Sequence, residues 1–425
     1  MLIKLFLFFI LNIKLFVIVW CSEKNATGNE GQLIFAHVLF RHGDRTPVDP
    51  YPTDPWRDLK YWPTGWGQLT NTGKKQHYEL GQWLRKRYTN LISKTYSRNE
   101  IFIRSTDVDR TLMSALADLS GLYPPTEKDI WNPDVNWQPI PVHTIPEVND
   151  AILAAKKPCP AYDYALKKLK TSEEYTEINK KLKPIYNYLT KNSGKNVNTM
   201  TGCQYIYGCL KIEQLYNKTL PEWTSKVYPE PLATISARAF ITNTYTPQLA
   251  RLKFGPLLKE MLTRFQDKFN RNLDPDRKLW IYSAHDTTVS GFLNTLNLFE
   301  LHNPPYTACV LVELRVINKE PFVSIFYKNT TAEPIAMNIP NCGQLCPLDE
   351  MFKIYEPVLP VNWESECRLS MLQMSYVDVE IKSTIGVAGI SILLILSLLA
   401  IIIAVLLYKR HSNYHDDKWY YRIDG

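Results

Sequence analysis

Short, nearly continuous apolar runs alternate with amphipathic stretches along most of the chain. Residues 33–40 (LIFAHVLF) and 279–283 (LWIYS) are apolar at almost every position, the pattern of strands buried on both faces of a sheet. Residues 101–104 form a shorter run of this kind, and 308–316 and 322–327 supply the last strands. Between them the period changes. Tyr78, Leu80, Trp83, Leu84 and Tyr88 recur at helical spacing after Thr72, which predicts a capped helix over 73–88. Asp107 and Asp109 open a second helix, which Pro124 and Pro125 stop after Leu122. One long helix is predicted over 247–269, and Asp286 or Thr287 caps another that ends near Leu296. From about 131 to 244 the chain is rich in Pro, Lys, Glu and Tyr, with helix-like stretches over 161–191. This reads as an inserted, mainly helical cap. Strands alternating with helices predict an α/β fold: a mixed, mostly parallel sheet with helices on both faces, plus the cap.

Two longer apolar segments lie at the ends. Lys4 precedes an apolar run up to Val19 and a plausible cut after Cys21, so residues 1–21 read as a secretory signal peptide, although Asn12 and Lys14 interrupt the run. Residues 384–407 carry no charge. As a helix they reach roughly 36 Å, enough for a hydrocarbon core of about 30 Å. Lys409, Arg410 and His411 follow, which puts the C-terminus in the cytosol. The expectation is a single-pass type I membrane protein with residues 22–383 luminal or extracellular and a tail over 408–425.

Composition narrows the class. Of 425 residues, 45% are hydrophobic and 21% charged, so a packed core is available and wholesale disorder is excluded. The net charge of +7 is dispersed; Lys180 and Lys181, for example, lie near Glu173, Glu174 and Glu177. No basic stripe suits a nucleic acid. Of eight cysteines, Cys21 leaves with the signal, and most of the remaining odd number should pair in an oxidising lumen. Cys342 and Cys346 read as a small disulfide loop, since no second Cys/His pair lies near to complete a zinc site. The glycosylation sequons at Asn25, Asn217 and Asn329 all fall on the luminal side.

The chemistry gathers at strand ends. Arg41-His42-Gly43-Asp44-Arg45-Thr46-Pro47 follows the first strand, Arg104 ends the second, and His285-Asp286 follows 279–283 ahead of a helix N-terminus. Ligands in open α/β sheets bind outside the carboxyl ends of strands. Guanidinium forks match phosphate oxygens in pairs, and helix N-termini favour anions. Three such strand ends define an anion site that holds a nucleophile or proton carrier.

RHGDRTP at 41–47, RSTDVDRT at 104–111 and YSAHDTT at 282–288 closely resemble the histidine acid phosphatases of the phosphoglycerate mutase-like superfamily. The similarity continues through NKTLPEW at 217–223, PPYTACVLVEL at 304–314 and the cysteine-rich stretch 342–367. The resemblance implies hydrolysis of phosphate monoesters through a phosphohistidine. His42 would be the nucleophile and Asp286 the acid. Arg41, Arg45, Arg104 and His285 would bind the phosphoryl group, with no metal and no cofactor. It also pairs Cys159 with Cys367 and Cys342 with Cys346, and leaves Cys309 to either Cys209 or Cys203. It further implies a homodimer and a lysosomal, endosomal or cell-surface location. Arginines beside His42 should lower its pKa so that it stays a nucleophile in acid, and a bound phosphate should raise that of Asp286.

His37 reads as a core residue, His77 and His143 lack ligand spacing, and Asp44, Asp107 and Asp109 read as arginine-orienting or capping groups. Two alternatives stand beside acid phosphatase. One is a specialised member acting on phytate or lysophosphatidate; the other is an inactive adhesion or receptor protein on the same fold. In the tail, Tyr420-Tyr421-Arg422-Ile423 fits the Tyr-x-x-apolar signal read by clathrin adaptors.

Overall fold

The computed structural model describes residues 31–330, 332–371, 373 and 395–407. The expected signal peptide, Asn25, the first part of the proposed span (384–394) and the tail with Tyr420 lie outside the described residues. The chain divides into one unit over Met1–Cys367 and a second over Arg368–Gly425.

The first unit is built on an eight-stranded sheet: β1 (Gln32–Arg41), β2 (Ile101–Thr106), β3 (His143–Ile145), β4 (Leu279–Ala284), β5 (Cys309–Ile317), β6 (Glu320–Lys328), β7 (Ile335–Ala336) and β8 (Cys346–Pro347). The order is β3-β2-β4-β1-β5-β6-β7, with β8 also on β6. β3, β2, β4 and β1 are parallel. β5 runs against β1, and β6 returns against β5. The continuous apolar runs have a simple cause. On β1, Phe35 and Leu39 enter a core with Leu257, Leu258 and Phe292. Ala36, Val38 and Phe40 enter another with Leu80, Leu84 and Leu119. Helices cover both faces, so every position must be apolar. His37 is fully buried among Phe35, Phe265 and Tyr282.

The second core depends on two helices that nearly touch. The helix Asn71–Arg87 starts two residues before the predicted start, because Thr70 rather than Thr72 accepts from Gly73 N. It crosses the helix Asp109–Leu122 at two glycines. A Cβ on Gly81 would lie 1.9 Å from Asp118 O, and one on Gly121 would lie 2.1 Å from Tyr78 O.

The predicted helix over 247–269 is two helices, Pro247–Lys253 and Gly255–Phe269. Pro256 has no N–H to continue the ladder, and Gly255 lies against Val358 O. The helical cap begins later than about 131. Its helices Pro160–Lys170, Glu173–Ser193, Met200–Leu215 and Leu232–Ile241 share a separate apolar core with Tyr51 and Cys367. The proline-rich segment before it is extended and gives β3 to the sheet edge, with His143 opposite Arg104.

Disulfides join Cys159 to Cys367 and Cys342 to Cys346. The expected third bond, from Cys309 to Cys209 or Cys203, is not formed: all three thiols are free and buried. Cys309 packs with Ala36, Val38 and Phe40 against the sheet, whereas Cys203 and Cys209 belong to the core of the cap. Asn217 is exposed and Asn329 partly so. In the second unit residues 395–407 are helical and exposed. Among the described residues no helix is long and apolar enough to cross a membrane.

The glycine crossing makes a direct prediction. Gly81→Ala should destabilise the protein by about 1–3 kcal/mol through overpacking. Gly208→Ala, in a helix with nothing within 4 Å of its Cβ position, should stabilise it by about 0.5–1 kcal/mol. Thermal melts of the two variants should move in opposite directions; equal shifts would disprove the close crossing.

Candidate active site

The register of β1 on β4 sets Arg41 opposite Ala284, so His42 and His285 leave the sheet side by side. Their ring centroids are 5.6 Å apart. His42 N donates to Ala284 O at 2.9 Å. The loop that follows sits directly on the first turn of the helix Asn71–Arg87. A Cβ on Gly43 would meet Gly73 O at 2.4 Å, which only glycine at both positions allows. Asp44 N donates to Gln76 Oε1 at 2.8 Å. The Asp44 carboxylate accepts from Thr70 Oγ1 at 2.6 Å and Tyr216 OH at 2.5 Å. Asp44 therefore fastens the loop to the cap rather than orienting an arginine. From below, His77 Nε2 donates to Arg41 O at 3.1 Å.

His42 is 2% exposed. Its Nδ1 lies 2.8 Å from Gly43 O. A carbonyl only accepts, so Nδ1 carries the proton and Nε2 presents its lone pair. Burial, then Arg41 and Arg45, hold its pKa well below the ordinary 6.5. Arg41 donates from Nη1 to Pro304 O at 2.5 Å, pairs from Nη2 with Asp286 Oδ2 at 2.8 Å, and stacks 4.4 Å over Tyr306. Arg45 donates to Thr46 O at 2.9 Å.

The third guanidinium is not the expected one. Arg104 is absent from the lining of the cavity. Its Nη2 is bonded at 2.5 Å to the fully buried Asp150, which also accepts from the backbone N–H groups of Ile152, Leu153 and Ala154. Arg110 takes the place in the cavity. The strand-end rule favoured Arg104, but side chains alternate along a strand, and the one at 104 serves the structure. Arg110 stands in the first turn of the helix after β2, within the same RSTDVDRT motif. The Nε atoms of Arg41, Arg45 and Arg110 are buried without hydrogen-bond partners among the described residues, as is that of Arg104, but only the first three belong to side chains that line the cavity. Such donors fit an anion. Burial, with Arg45 as the next cause, pushes Arg110 down to about 10.

Arg110 Nη2 donates to His285 Nδ1 at 3.4 Å. His285 Nε2 then carries the proton and donates to Thr106 Oγ1 at 3.0 Å, which continues to Thr111 Oγ1 at 2.8 Å. Burial, then Arg110, push His285 down to about 3. Asp286 opens the helix Asp286–Thr295 and accepts from Thr287 N at 2.8 Å. Burial raises its pKa, but Arg41, Arg45 and His285 outweigh that and hold it below the usual carboxylate range. The cavity above these groups has a volume of about 710 Å³. Its outer wall comes from the helix Met200–Leu215 and from Tyr306, contributions not foreseen from the strand ends.

The ends of the parallel strands and the helix after β2 together gather a neutral histidine, three guanidinium groups and a carboxylate, a set of charges suited to a phosphoryl group. The pattern of the histidine phosphatase superfamily (branch 2) matches residues 32–328. Human prostatic acid phosphatase is 38% identical over 360 residues, covering 83% of this chain and 92% of the relative. Lysosomal acid phosphatase from Rattus norvegicus is 36% identical over 389 residues, 90% of each. The fold is also that of a phytase from Hafnia alvei, at 16% identity and a TM-score of 0.59 over 81% of this chain and 100% of the phytase. The chain belongs to branch 2 of the histidine phosphatase superfamily.

The exchange of Arg104 for Arg110 can be tested. Arg110→Ala should leave the melting temperature nearly unchanged and cut kcat/KM on phosphomonoesters about 100-fold, as for loss of one charge-stabilising donor. Arg104→Ala should instead cost about 3 kcal/mol of stability by stranding the buried carboxylate of Asp150. The reverse pattern would restore Arg104 to the phosphate site.

Proposed function

We propose that the protein is an acid phosphatase that cleaves phosphate monoesters to an alcohol and orthophosphate through a phosphohistidine. The lone pair on Nε2 of a buried, neutral His42, aimed into a cavity lined by Arg41, Arg45 and Arg110, carries this reading. Nε2 attacks phosphorus as the P–O bond to the alcohol breaks. The three guanidinium groups stabilise the charge on the phosphoryl oxygens. His285 adds an N–H to an oxygen once its tautomer reverses and Thr106 donates to Nε2. Asp286 gives its proton to the leaving oxygen, then takes one from the water that attacks phosphorus and breaks the P–N bond. In the free site Asp286 is ionised against Arg41. Below pH ~6 a phosphomonoester arrives as a monoanion, so the substrate itself brings the proton, and its oxygens compete for Arg41. The reaction needs no metal or cofactor on this route.

The second part of the reading concerns place. A cleaved signal over 1–21, a span over 384–407 and a cytosolic tail make a type I membrane protein of lysosomes, endosomes or the cell surface. The exposure of Ile395, Leu399, Ile403 and Leu407 on the described helix and the relatives named lysosomal acid phosphatase support it. Tyr420 in the tail would recruit clathrin adaptors, and a homodimer follows from the resemblance alone.

Two measurements test the chemistry. Rapid acid-free quenching with labelled substrate should trap label on a histidine, and His42→Ala should remove both label and turnover while the protein stays folded; label retained in that variant refutes the nucleophile. The pH profile supplies the second. Because burial and the neighbouring guanidinium groups hold His42 well below 6.5, its protonation should not cost activity near pH 6.5, and kcat/KM should not fall as pH drops from 7 to 5. A loss with an apparent pKa near 6.5 would mean that His42 titrates as a free imidazole and cannot serve in acid.

A further inference from the structure

The cations around the cavity are not equally satisfied. Arg41 is paired with Asp286, and Lys156 with Glu147 at 2.7 Å. Arg45 and Arg110 converge with Arg41 near His42. Lys211 is the exception: it lines the cavity from the helix Met200–Leu215 and makes no hydrogen bond or ion pair among the described residues. Its nearest described partner is the ring of Tyr207, with Nζ 5.9 Å from the centroid. Its pKa is lowered, by burial first and then by Arg41, while Asp286 pulls the other way. A half-buried, unpaired ammonium next to further cations is unfavourable unless something negative meets it.

The transferred phosphoryl group does not need Lys211. Three guanidinium groups already exceed its charge, which is two at most. The position of Lys211 indicates what does need it. In-line attack by His42 sends the leaving oxygen toward its proton donor, Asp286, and Lys211 lines the same cavity as His42 and Asp286 without an ion-pair partner among the described residues. The alcohol portion of the substrate has to occupy the rest of this cavity, where Lys211 is the cation left without a partner among the described residues. Around it the wall is mostly uncharged, with Tyr207, Gly208, Ile212 and Phe240.

We propose that Lys211 is a specificity-determining residue that selects phosphomonoesters whose alcohol carries a second anionic group, a carboxylate or another phosphate. This rests on the phosphatase reading above. One lysine against a largely apolar wall suits one extra anion. A fully phosphorylated ring would bring several charges and find few partners there.

The test uses matched substrates and the purified protein: glycerol 3-phosphate against 3-phosphoglycerate, and fructose 6-phosphate against fructose 1,6-bisphosphate. The parent should prefer the doubly anionic member of each pair. Lys211→Met should lower that preference about tenfold through KM, with little change in kcat, and Lys211→Arg should keep it. Lys211→Gln replaces Lys211→Met if the latter does not fold. A substitution that scales both members of each pair equally would overturn the assignment while leaving the phosphatase reading intact. No turnover of any of the four by the parent would overturn the phosphatase reading itself, and the role of Lys211 with it.

Discussion

The structure has to hold like charges together. Arg41, Arg45 and Arg110 converge on a buried histidine, and among the described residues only Arg41 of the three has an acidic partner, Asp286. Left to themselves, three guanidinium groups would separate and take up water. The backbone prevents this. Arg41 is fixed between Pro304 O, the Tyr306 ring and Asp286. Arg45 sits in a loop clamped by the contact of Gly43 with Gly73 and by the hydrogen bonds of Asp44. Arg110 is carried by a helix whose crossing with Asn71–Arg87 tolerates no side chain at Gly81 or Gly121. The repulsion is carried by rigid packing, which is how a binding site is preorganised for an anion.

That concentration of charge also sets the state of the nucleophile. A histidine in water would be protonated in an acidic compartment and useless for attack. Here burial and three guanidinium neighbours, Arg41, Arg45 and Arg110, act in the same direction on His42, so on the route proposed above the groups that would bind the substrate also keep the nucleophile unprotonated. His285 is pushed the same way by burial and Arg110. It is kept neutral, and the hydrogen-bond chain through Thr106 and Thr111 fixes its ring.

Much of this was legible in the chain. The strands around 33–40 and 279–283 could be read because both faces of the sheet are covered and the apolar runs are unbroken. His42, Arg41, Arg45, His285 and Asp286 could be read because a parallel sheet delivers the residues after its strands to one edge. What was missed depended on tertiary choices. Arg104 and Arg110 have the same side chain in one short motif, and strand alternation decides between them. The break at Phe254 depends on Pro256 and on the distant Val358, and β3 on a partner strand at Arg104. The third disulfide failed because Cys309 faces a different core from Cys203 and Cys209, a separation that cysteine spacing does not encode.

Asp286 shows why the free site and the working site must differ. Its carboxyl is stabilised as an anion by Arg41, Arg45 and the N–H of Thr287, yet an acid must give up a proton. Arg41 resolves the conflict, because the same guanidinium that holds Asp286 ionised is a natural ligand for a phosphoryl oxygen. As phosphate draws on Arg41, Asp286 loses its strongest stabilising partner and gains a negative neighbour, and both changes raise its pKa. On the route proposed above, Arg41 would return when orthophosphate leaves and Asp286 would release its proton to solvent. On that route the Arg41–Asp286 pair would link the occupancy of the site to the protonation of its acid, with no moving domain required.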